Sequence, residues 1–147
     1  MAAERVLVDT DILIYATLAN DPRYERARAV LLPPARTTRM LHICVQNLAE
    51  MYPNLTGPKM SMPDSPRQAR EKIASIAALP GIQLLPVTPD VVLKALELCD
   101  RYEITRQRYF DMQLVATMIV NRIDTIFTEN IRDFQMISEI TAVNPLA

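Results

Sequence analysis

The stretch VLVDTDILIY, residues 6–15, places two aspartates between two apolar runs. The first run predicts a buried β-strand and the second predicts a helix, so Asp9 follows the strand and Asp11 begins the helix. Carboxylates that follow the strands of a parallel sheet lie at the edge where α/β proteins bind their ligands. An Asp in this position also suits a purely structural role, because it can accept hydrogen bonds from the free N–H groups of the next helix.

The composition is typical of a globular domain. Half of the 147 residues are apolar and 22% are charged, which argues against a disordered chain. We therefore expect one domain over residues 1–147. Sixteen Lys and Arg against 17 Asp and Glu leave a net charge of −1, so the total charge neither indicates nor excludes a nucleic-acid partner.

The cysteines and the single histidine limit the possible chemistry. Cys44 and Cys99 lie in apolar stretches without metal-ligand spacing, so we expect small buried thiols. A single histidine, His42, excludes catalysis by a histidine pair and makes a histidine-rich metal site improbable. The sequence has no signal-peptide pattern and no apolar run of about 18 residues. We therefore expect a cytoplasmic protein that does not enter a membrane.

Strand and helix patterns alternate along the chain. Strands separated by helices favour an α/β fold with a central, mostly parallel sheet of four to five short strands flanked by helices. The predicted strands are residues 5–8, 40–44, 82–87, 124–128 and 141–143. The predicted helices are residues 11–18, 21–32, 45–52, 67–79, 89–102 and 109–122, with a brief helix near 131–136.

Prolines set several of the predicted boundaries. Pro33 and Pro34 are expected to end the second helix, and the third helix is expected to end before Pro53. Residues 53–66, which contain four prolines, predict a loop or flap. Thr88 is expected to cap the helix that begins at Pro89.

Two more carboxylates lie in predicted helices. Asp111 shares a helix face with Leu114, Val115 and Met118, so we expect it to point at the core. There it would need a cation, a metal or a set of hydrogen bonds, or else the free N–H groups of the first helical turn. Glu50 alone suits a solvated helix residue. Together with Asp9, however, these residues favour a site for Mg²⁺ or Mn²⁺, because such ions take oxygen ligands from several segments.

Four segments resemble, in order and spacing, the motifs of PIN domains, and the likeness is nearest to the VapC-like toxins of toxin–antitoxin pairs. The segments are DTDILIY at 9–15, VQNLAE at 45–50, RYFDMQLVATM at 108–118 and TIFTENIRDF at 125–134. The resemblance implies a metal-dependent endoribonuclease. It also implies that Asp9, Glu50 and Asp111 bind Mg²⁺ or Mn²⁺ at the carboxyl edge of the sheet.

The remaining polar positions of the motifs vary within the family. Some members have an Asp where this chain has Asn130, and others have it three residues later beside a Phe, which makes Asp133 the expected fourth ligand. Glu129 is the competing carboxylate. The resemblance further implies that Thr128 and Asn130 support the site by hydrogen bonds. Asp11, at a position that is often Asn in the family, is likewise expected to be a supporting residue.

The resemblance implies partners as well as chemistry. The expected reaction is metal-assisted hydrolysis of an RNA phosphodiester, in which the cation polarises the phosphate and lowers the pKa of a bound water. An antitoxin protein would insert a segment into the active-site groove, and a homodimer is expected. Helices near Tyr15, Leu18 and Tyr24 would contribute to that groove or to the dimer. Cations on the rim would contact RNA, with Arg101, Arg106 and Arg108 as first candidates and Lys59, Arg67 and Arg70 as further ones.

Two other functions fit part of the sequence. The DTD segment is similar to the nucleophile motif of haloacid-dehalogenase-like phosphatases, in which Asp9 would be phosphorylated and Asp11 would act as an acid. Leu13 departs from that motif, and the chain has no paired late aspartates. The second alternative is a PIN-like module that binds RNA or protein without cutting, and Asn130 in a ligand position keeps that alternative open.

Overall fold

The computed structural model describes residues 3–32 and 39–147. In these ranges one sheet is formed by β1 (Glu4–Val8), β2 (Arg39–Cys44), β3 (Ile82–Leu85), β4 (Thr125–Phe127) and β5 (Thr141–Val143). The strand order is β3-β2-β1-β4-β5 and every neighbouring pair is parallel. The predicted α/β fold with a parallel central sheet is therefore confirmed.

Helices follow most of the strands. In the described ranges they are α1 (Thr10–Tyr15), α2 (Tyr24–Leu31), α3 (Val45–Leu55), α4 (Pro66–Ala77), α5 (Pro89–Tyr102) and α6 (Tyr109–Val120). Two short 3₁₀ helices, Arg106–Arg108 and Ile131–Asp133, precede α6 and follow β4. No helix within residues 3–32 and 39–147 is both long enough and apolar enough to cross a bilayer.

The strand order places the end of β1 at the point where the chain reverses direction across the sheet. From β1 the chain moves outward through β2 to β3, and it then returns to place β4 on the other side of β1. The crevice beyond the carboxyl ends of the strands at such a point is where open α/β sheets bind ligands. Val8 pairs with Phe127, and the Asp9 N–H donates to the Phe127 carbonyl at 2.9 Å. Asp9 and Thr128 consequently lie side by side at this edge.

The core has two layers because the sheet is covered on both faces. Leu7 packs with α5 and α6 on one face, whereas Val6 and Val8 pack with α1 to α4 on the other. All three side chains are fully buried. This burial explains the nearly continuous apolar run of β1, which a strand with one solvated face would not need.

The prediction that the third helix ends before Pro53 is wrong, because α3 includes Pro53 and continues to Leu55. Proline removes one N–H from a helix, and near the end of the helix that loss is small compared with the burial of a large apolar side chain. Leu55 is 1% exposed in the core beside Met51. The loop predicted for residues 53–66 is correspondingly shorter, since residues 53–55 belong to α3 and Pro66 begins α4.

Other boundaries agree more closely. The helix predicted for residues 89–102 is confirmed with both ends correct, and the Thr88 hydroxyl accepts from the Val91 N–H at 3.2 Å. The first helix is shorter than predicted and ends at Tyr15. The second helix, predicted for residues 21–32, begins later, at Tyr24, and ends at Leu31. Pro33 and Pro34, which were expected to end it, lie outside the described residues. Cys44 is buried, Cys99 is partly buried, and both are free.

His42 lies in the middle of the sheet and should make the stability depend on pH. Its side chain is fully buried, and burial lowers the pKa of the imidazole, with the Val6 carbonyl 3.2 Å from Nδ1 partly opposing the shift. In the unfolded chain the pKa of a histidine is about 6.5. Because the pKa of His42 is lower than this in the folded protein, the free energy of unfolding is unaffected above about pH 6.5 and falls as the pH drops below that value.

We predict that the free energy of unfolding falls, relative to that of the His42→Met variant, by up to about 1 kcal/mol between about pH 7.5 and pH 5.5. Urea unfolding of both proteins at several pH values measures this difference. The carboxylates titrate in both proteins, so their contribution cancels. A difference that stays constant with pH would contradict the prediction.

Candidate functional site

Asp9 is buried at the end of β1 and is surrounded by hydrogen-bond donors. Its Oδ1 accepts from the Thr10 N–H at 2.8 Å and from Asn47 Nδ2 at 3.3 Å, and its Oδ2 accepts from the Thr128 hydroxyl at 2.9 Å. The residue is only 9% exposed. Asp9 therefore is the N-cap of α1, and it also contributes a carboxylate to the edge of the sheet.

Asn47 is a residue of this site that sequence reasoning did not single out. It is fully buried in the first turn of α3, where its Oδ1 accepts from the Cys44 N–H at 3.1 Å. Its Nδ2 donates to the Thr10 hydroxyl at 3.1 Å as well as to Asp9. The side chain thus joins the ends of β1 and β2. The only sequence signal for this role is its place in the first turn of the helix that follows a predicted strand.

Asp11 holds the turn that follows β4. Its Oδ2 accepts from the Glu129 N–H at 2.9 Å and lies 3.4 Å from the Thr128 hydroxyl, while its Oδ1 accepts from the Ile12 N–H at 2.8 Å. The Thr128 hydroxyl in turn accepts from the Asn130 N–H at 2.9 Å. Asp11 and Thr128 therefore fix the backbone of the turn and with it the position of Asn130.

Glu50 lies on α3 and lines the same edge of the sheet. Its Oε1 accepts from Gln46 Nε2 at 2.6 Å, and its Oε2 lies 3.4 Å from the Thr10 hydroxyl. A cleft of about 190 Å³ lies in front of it. The cleft is lined by four carboxylates and their neighbours, namely Asp9, Thr10, Asp11, Ile14, Glu50, Asn54, Asp111, Leu114, Asn130 and Phe134.

Asp111 faces this cleft from the first turn of α6. Its side chain is 29% exposed, whereas Leu114, Val115 and Met118 are buried. The expectation that it points at the core is therefore wrong, because the first turn of α6 lies at the rim of the cleft. Across the described ranges no hydrogen bond reaches its carboxylate, and its ionic neighbour is Arg108, with Nε 4.0 Å from Oδ2. The N–H groups of its own helix do not satisfy it.

The cluster is electrostatically costly when its members are ionised. Burial, followed by the charge of Asp11, raises the pKa of Asp9 to about 7. Burial, followed by the charge of Asp133, raises the pKa of Asp111 to about 6, against the opposing effect of Arg108. Burial also raises the pKa of Asp11. A bound cation would relieve both the repulsion and the desolvation.

The donor chemistry of the cleft fits a hard divalent cation. Carboxylate oxygens from several segments are the ligands that Mg²⁺ and Mn²⁺ take, and the Asp111 carboxylate has no competing hydrogen bond within residues 3–32 and 39–147. In those same ranges, however, no three Asp, Glu, His or Cys side chains surround one common metal position. The cleft therefore has the right donors but is not a preformed metal cage.

Glu129, Asn130 and Asp133, the residues after β4 considered for the fourth ligand position, occupy different positions relative to the cleft. Asn130 lines it, whereas Asp133 does not, although the charge of Asp133 raises the pKa of Asp111. The Glu129 carboxylate accepts from the Tyr15 hydroxyl at 2.7 Å and from Arg23 Nη1 at 3.2 Å. Of the three, Asn130 contributes directly to the cleft and Glu129 pairs with groups outside its lining.

The three arginines named as RNA contacts also differ in position. Arg108 is exposed beside Asp111, and its Nη2 donates to the Asp133 carbonyl at 3.3 Å. Arg106 is exposed in the preceding 3₁₀ helix and has a positive φ of 58°, a backbone conformation that costs energy in a residue with a side chain. The Arg101 guanidinium forms an ion pair with Glu139. Of these three arginines, Arg108 is therefore the one that contacts a carboxylate of the cleft.

The chain matches the PIN domain family over residues 6–139 and belongs to that family. No curated protein sequence matches it. Its fold is similar to VapBC-1 from nontypeable Haemophilus influenzae, with a TM-score of 0.66 and 14% identity over 97% of this chain and 99% of that chain.

Two further solved structures show the same likeness of fold. One is VapBC2 from Rickettsia felis, bound to a DNA fragment from its promoter, with a TM-score of 0.65 and 18% identity over 95% of this chain and 98% of that chain. The other is Mycobacterium tuberculosis VapC20, a toxin that cleaves the sarcin-ricin loop, with a TM-score of 0.58 and 19% identity over 82% and 86%. The resemblance to PIN domains expected from the four motifs is thus confirmed.

The raised pKa of Asp9 predicts an effect of its charge on stability. The pKa of this carboxyl group is near 7 in the folded protein, whereas its usual value is 3.8. Because the folded state holds the proton more tightly than the unfolded state, the free energy of unfolding falls as the pH rises between these two values. We predict that, with metal removed by a chelator, the stability of Asp9→Asn relative to wild type increases by roughly 2–3 kcal/mol as the pH is raised from about 5 to about 8.

Chemical denaturation at the two pH values tests this expectation. Asp90→Asn is the matched control, because Asp90 is exposed in the first turn of α5 and its replacement should cost the same at both pH values. If the advantage of Asp9→Asn did not grow with pH, the electrostatic account of the cleft would be wrong.

Proposed function

We propose that this PIN domain protein is a metal-dependent endoribonuclease that acts as the toxin of a toxin–antitoxin pair. The observation that carries the proposal is the convergence of Asp9, Asp11, Glu50 and Asp111 on one cleft. These carboxylates reach it from the end of β1 and from α1, α3 and α6, at the carboxyl edge of the sheet where such folds place their active sites. Family membership and the folds of the VapBC structures add support.

Asp9, Glu50 and Asp111 would hold Mg²⁺ or Mn²⁺, with Asp133 as a more distant fourth carboxylate. When bound, the ion supplies a Lewis acid for the phosphate and a water of lowered pKa for attack. The chain itself keeps the ligands in place, because Thr128 and Asn47 orient Asp9 by hydrogen bonds. Asp11, Thr128 and Asn130 are supporting residues in this proposal, as the family resemblance implies.

RNA is the proposed substrate, and Arg108 is the best-placed cation to contact it. An ion pair with a separation of 4.0 Å at an exposed site is weak, so the guanidinium remains available to a phosphate that approaches Asp111. Arg106 is exposed on the same short helix. Among the solved structures of similar fold, VapC20 is described as a toxin that cleaves the sarcin-ricin loop of RNA, which supports this substrate class.

A non-cutting PIN module is the second candidate. Asn130 lines the cleft, whereas Asp133 does not. One polar position of the cleft therefore carries an amide in place of a carboxylate. The phosphatase alternative lacks comparable support, because the chain belongs to the PIN family and both Asp9 oxygens accept hydrogen bonds. Measurement of metal binding discriminates between the nuclease and the non-cutting PIN module.

The proposed partners follow from the toxin assignment. The solved structures of similar fold include toxin–antitoxin complexes from Klebsiella pneumoniae and Salmonella typhimurium, which supports a cognate antitoxin for this chain. We further propose a homodimer and a cytoplasmic location. Size-exclusion chromatography with light scattering tests the dimer, and co-purification with the product of a neighbouring small reading frame tests the antitoxin.

We predict that the purified protein cleaves RNA only when Mg²⁺ or Mn²⁺ is present and loses the activity in a chelator. Asp111→Asn should reduce cleavage by at least about 100-fold, because it removes a ligand charge, while the midpoint of thermal unfolding is kept. Gel analysis of cleavage of an end-labelled RNA measures the loss. Glu129→Gln is the matched control and should retain cleavage, since its side chain contacts Tyr15 and Arg23. Full activity of Asp111→Asn would show that the site is wrong.

The arginine assignments predict different effects on binding. Arg108→Ala should weaken RNA binding and lower the slope of log affinity against log salt by about 1, because one phosphate contact is lost. Arg101→Ala should change the slope less, since the Arg101 guanidinium pairs with Glu139. Fluorescence anisotropy of an RNA with the catalytically inactive Asp111→Asn protein measures both slopes. A larger effect of Arg101→Ala than of Arg108→Ala would contradict this placement of the substrate.

A further inference from the structure

A chain of hydrogen bonds between side chains connects α6 to Glu50. The Tyr109 hydroxyl donates to Gln113 Oε1 at 2.9 Å, and Gln113 Nε2 donates to Gln46 Oε1 at 2.7 Å. Gln46 Nε2 then donates both to Glu50 Oε1 at 2.6 Å and to the Phe110 carbonyl at 2.9 Å. We call Tyr109, Gln113 and Gln46 the amide relay.

The direction of the amide relay is fixed by the groups at its end. The Phe110 carbonyl can only accept, so the Gln46 amide must present its NH₂ group to it, and the same nitrogen donates to Glu50 Oε1. Its oxygen then faces Gln113, which must present its own NH₂ group in turn. The Gln113 oxygen is left to accept from Tyr109. Each amide therefore has one favourable orientation.

The relay joins the two helices that carry Glu50 and Asp111. Gln46 lies one turn before Glu50 on α3, and Phe110 directly precedes Asp111 on α6. Gln46 is only 8% exposed, so its bonds to Glu50 and to the Phe110 carbonyl are shielded from water. The relay consequently sets where the Glu50 carboxylate lies relative to the helical turn that carries Asp111.

We propose that Tyr109, Gln113 and Gln46 are positioning residues that hold Glu50 in register with Asp111 for a divalent cation. This inference rests on the proposed function, since it assigns both carboxylates to the metal. Hydrogen bonds to a metal-ligating carboxylate orient it, and their loss typically lowers metal affinity 10- to 100-fold. The amide relay is therefore expected to act on metal affinity more than on stability.

The first test removes donors from the relay. Gln113→Met keeps the length of the side chain and removes the amide, so the dissociation constant for Mn²⁺, measured by isothermal titration calorimetry, should rise roughly tenfold. Tyr109→Phe removes only the terminal hydroxyl, and the expected rise is roughly two- to threefold. The midpoint of thermal unfolding without metal identifies any variant that fails to fold. If Gln113→Met fails to fold, Tyr109→Phe still tests the relay.

The second test uses the direction of the relay. At about pH 8 the carboxylate of Gln113→Glu can accept from Tyr109 but cannot donate to Gln46. A simple charge effect predicts tighter Mn²⁺ binding by this variant, because a negative charge is added near the cation. The relay predicts weaker binding, by roughly tenfold, because the Gln46 amide loses its donor and is drawn away from Glu50.

Gln107→Glu is the matched control for the added charge. Gln107 is exposed in the 3₁₀ helix just before α6, so its replacement should leave Mn²⁺ affinity unchanged or slightly raised. Weaker binding by both Gln113 variants, with Gln107→Glu close to wild type, supports the relay. Wild-type affinity in both Gln113 variants, or tighter binding by Gln113→Glu, would overturn the relay alone. Failure of the wild-type protein to bind Mn²⁺ would overturn the proposed function and the relay together.

Discussion

The repulsion among carboxylates at the end of β1 is the constraint on which the rest of the site depends. Asp9 is buried where β1 meets β4, and this burial is the main cause of its raised pKa, with further contributions from the charges of Asp11 and Glu50. Burying such a group costs free energy unless donors or a cation compensate. The Thr10 N–H, the Thr128 hydroxyl and Asn47 supply part of that compensation. A divalent cation would supply the remainder, and that need connects the fold to the proposed chemistry.

The topology brings these groups together through elements that are far apart in sequence. Because all five strands are parallel, their carboxyl ends meet at one edge, and the crossing from β2 and β3 back to β4 leaves a crevice beyond β1. Asn47 and Gln46 each contact a carboxylate from the first turn of α3. The polar contacts therefore connect α1, α3 and α6 around the cleft, while apolar packing on the two faces of the sheet holds the strands.

The features that could be predicted from sequence are those with a local cause. The apolar run of β1 reflects burial on both faces, and the helix that begins at Pro89 carries its own start signal in Thr88. Pro53 misled the prediction because a local rule about proline was outweighed by the burial of Leu55, which depends on tertiary packing. The expectation from helix periodicity that Asp111 points at the core is wrong for a similar reason, since its position relative to the sheet edge is set by how α6 packs.

Supporting polar residues were the hardest to predict. A single Gln or Asn in a helix is usually solvated, so composition and helix periodicity do not distinguish Gln46, Asn47 and Gln113 from surface residues. Each also has a partner that is distant in the chain, such as Asp9 for Asn47, 38 positions away, and Gln46 for Gln113, 67 positions away. The choice of Asp133 over Asn130 as the fourth ligand rests on the family resemblance alone. The structure places Asn130 on the cleft and Asp133 outside its lining.

Proton release on metal binding tests the central claim most directly. At about pH 6.5, Asp9 with a pKa of about 7 and Asp111 with a pKa of about 6 together carry about one proton, which a metal ion must displace in order to use both carboxylates. Titration of Mn²⁺ in buffers of different ionisation enthalpy measures that number. The account predicts release of about one proton at pH 6.5 and nearly none at about pH 8.5. Saturable binding without proton release at pH 6.5, or no binding at all, would contradict it.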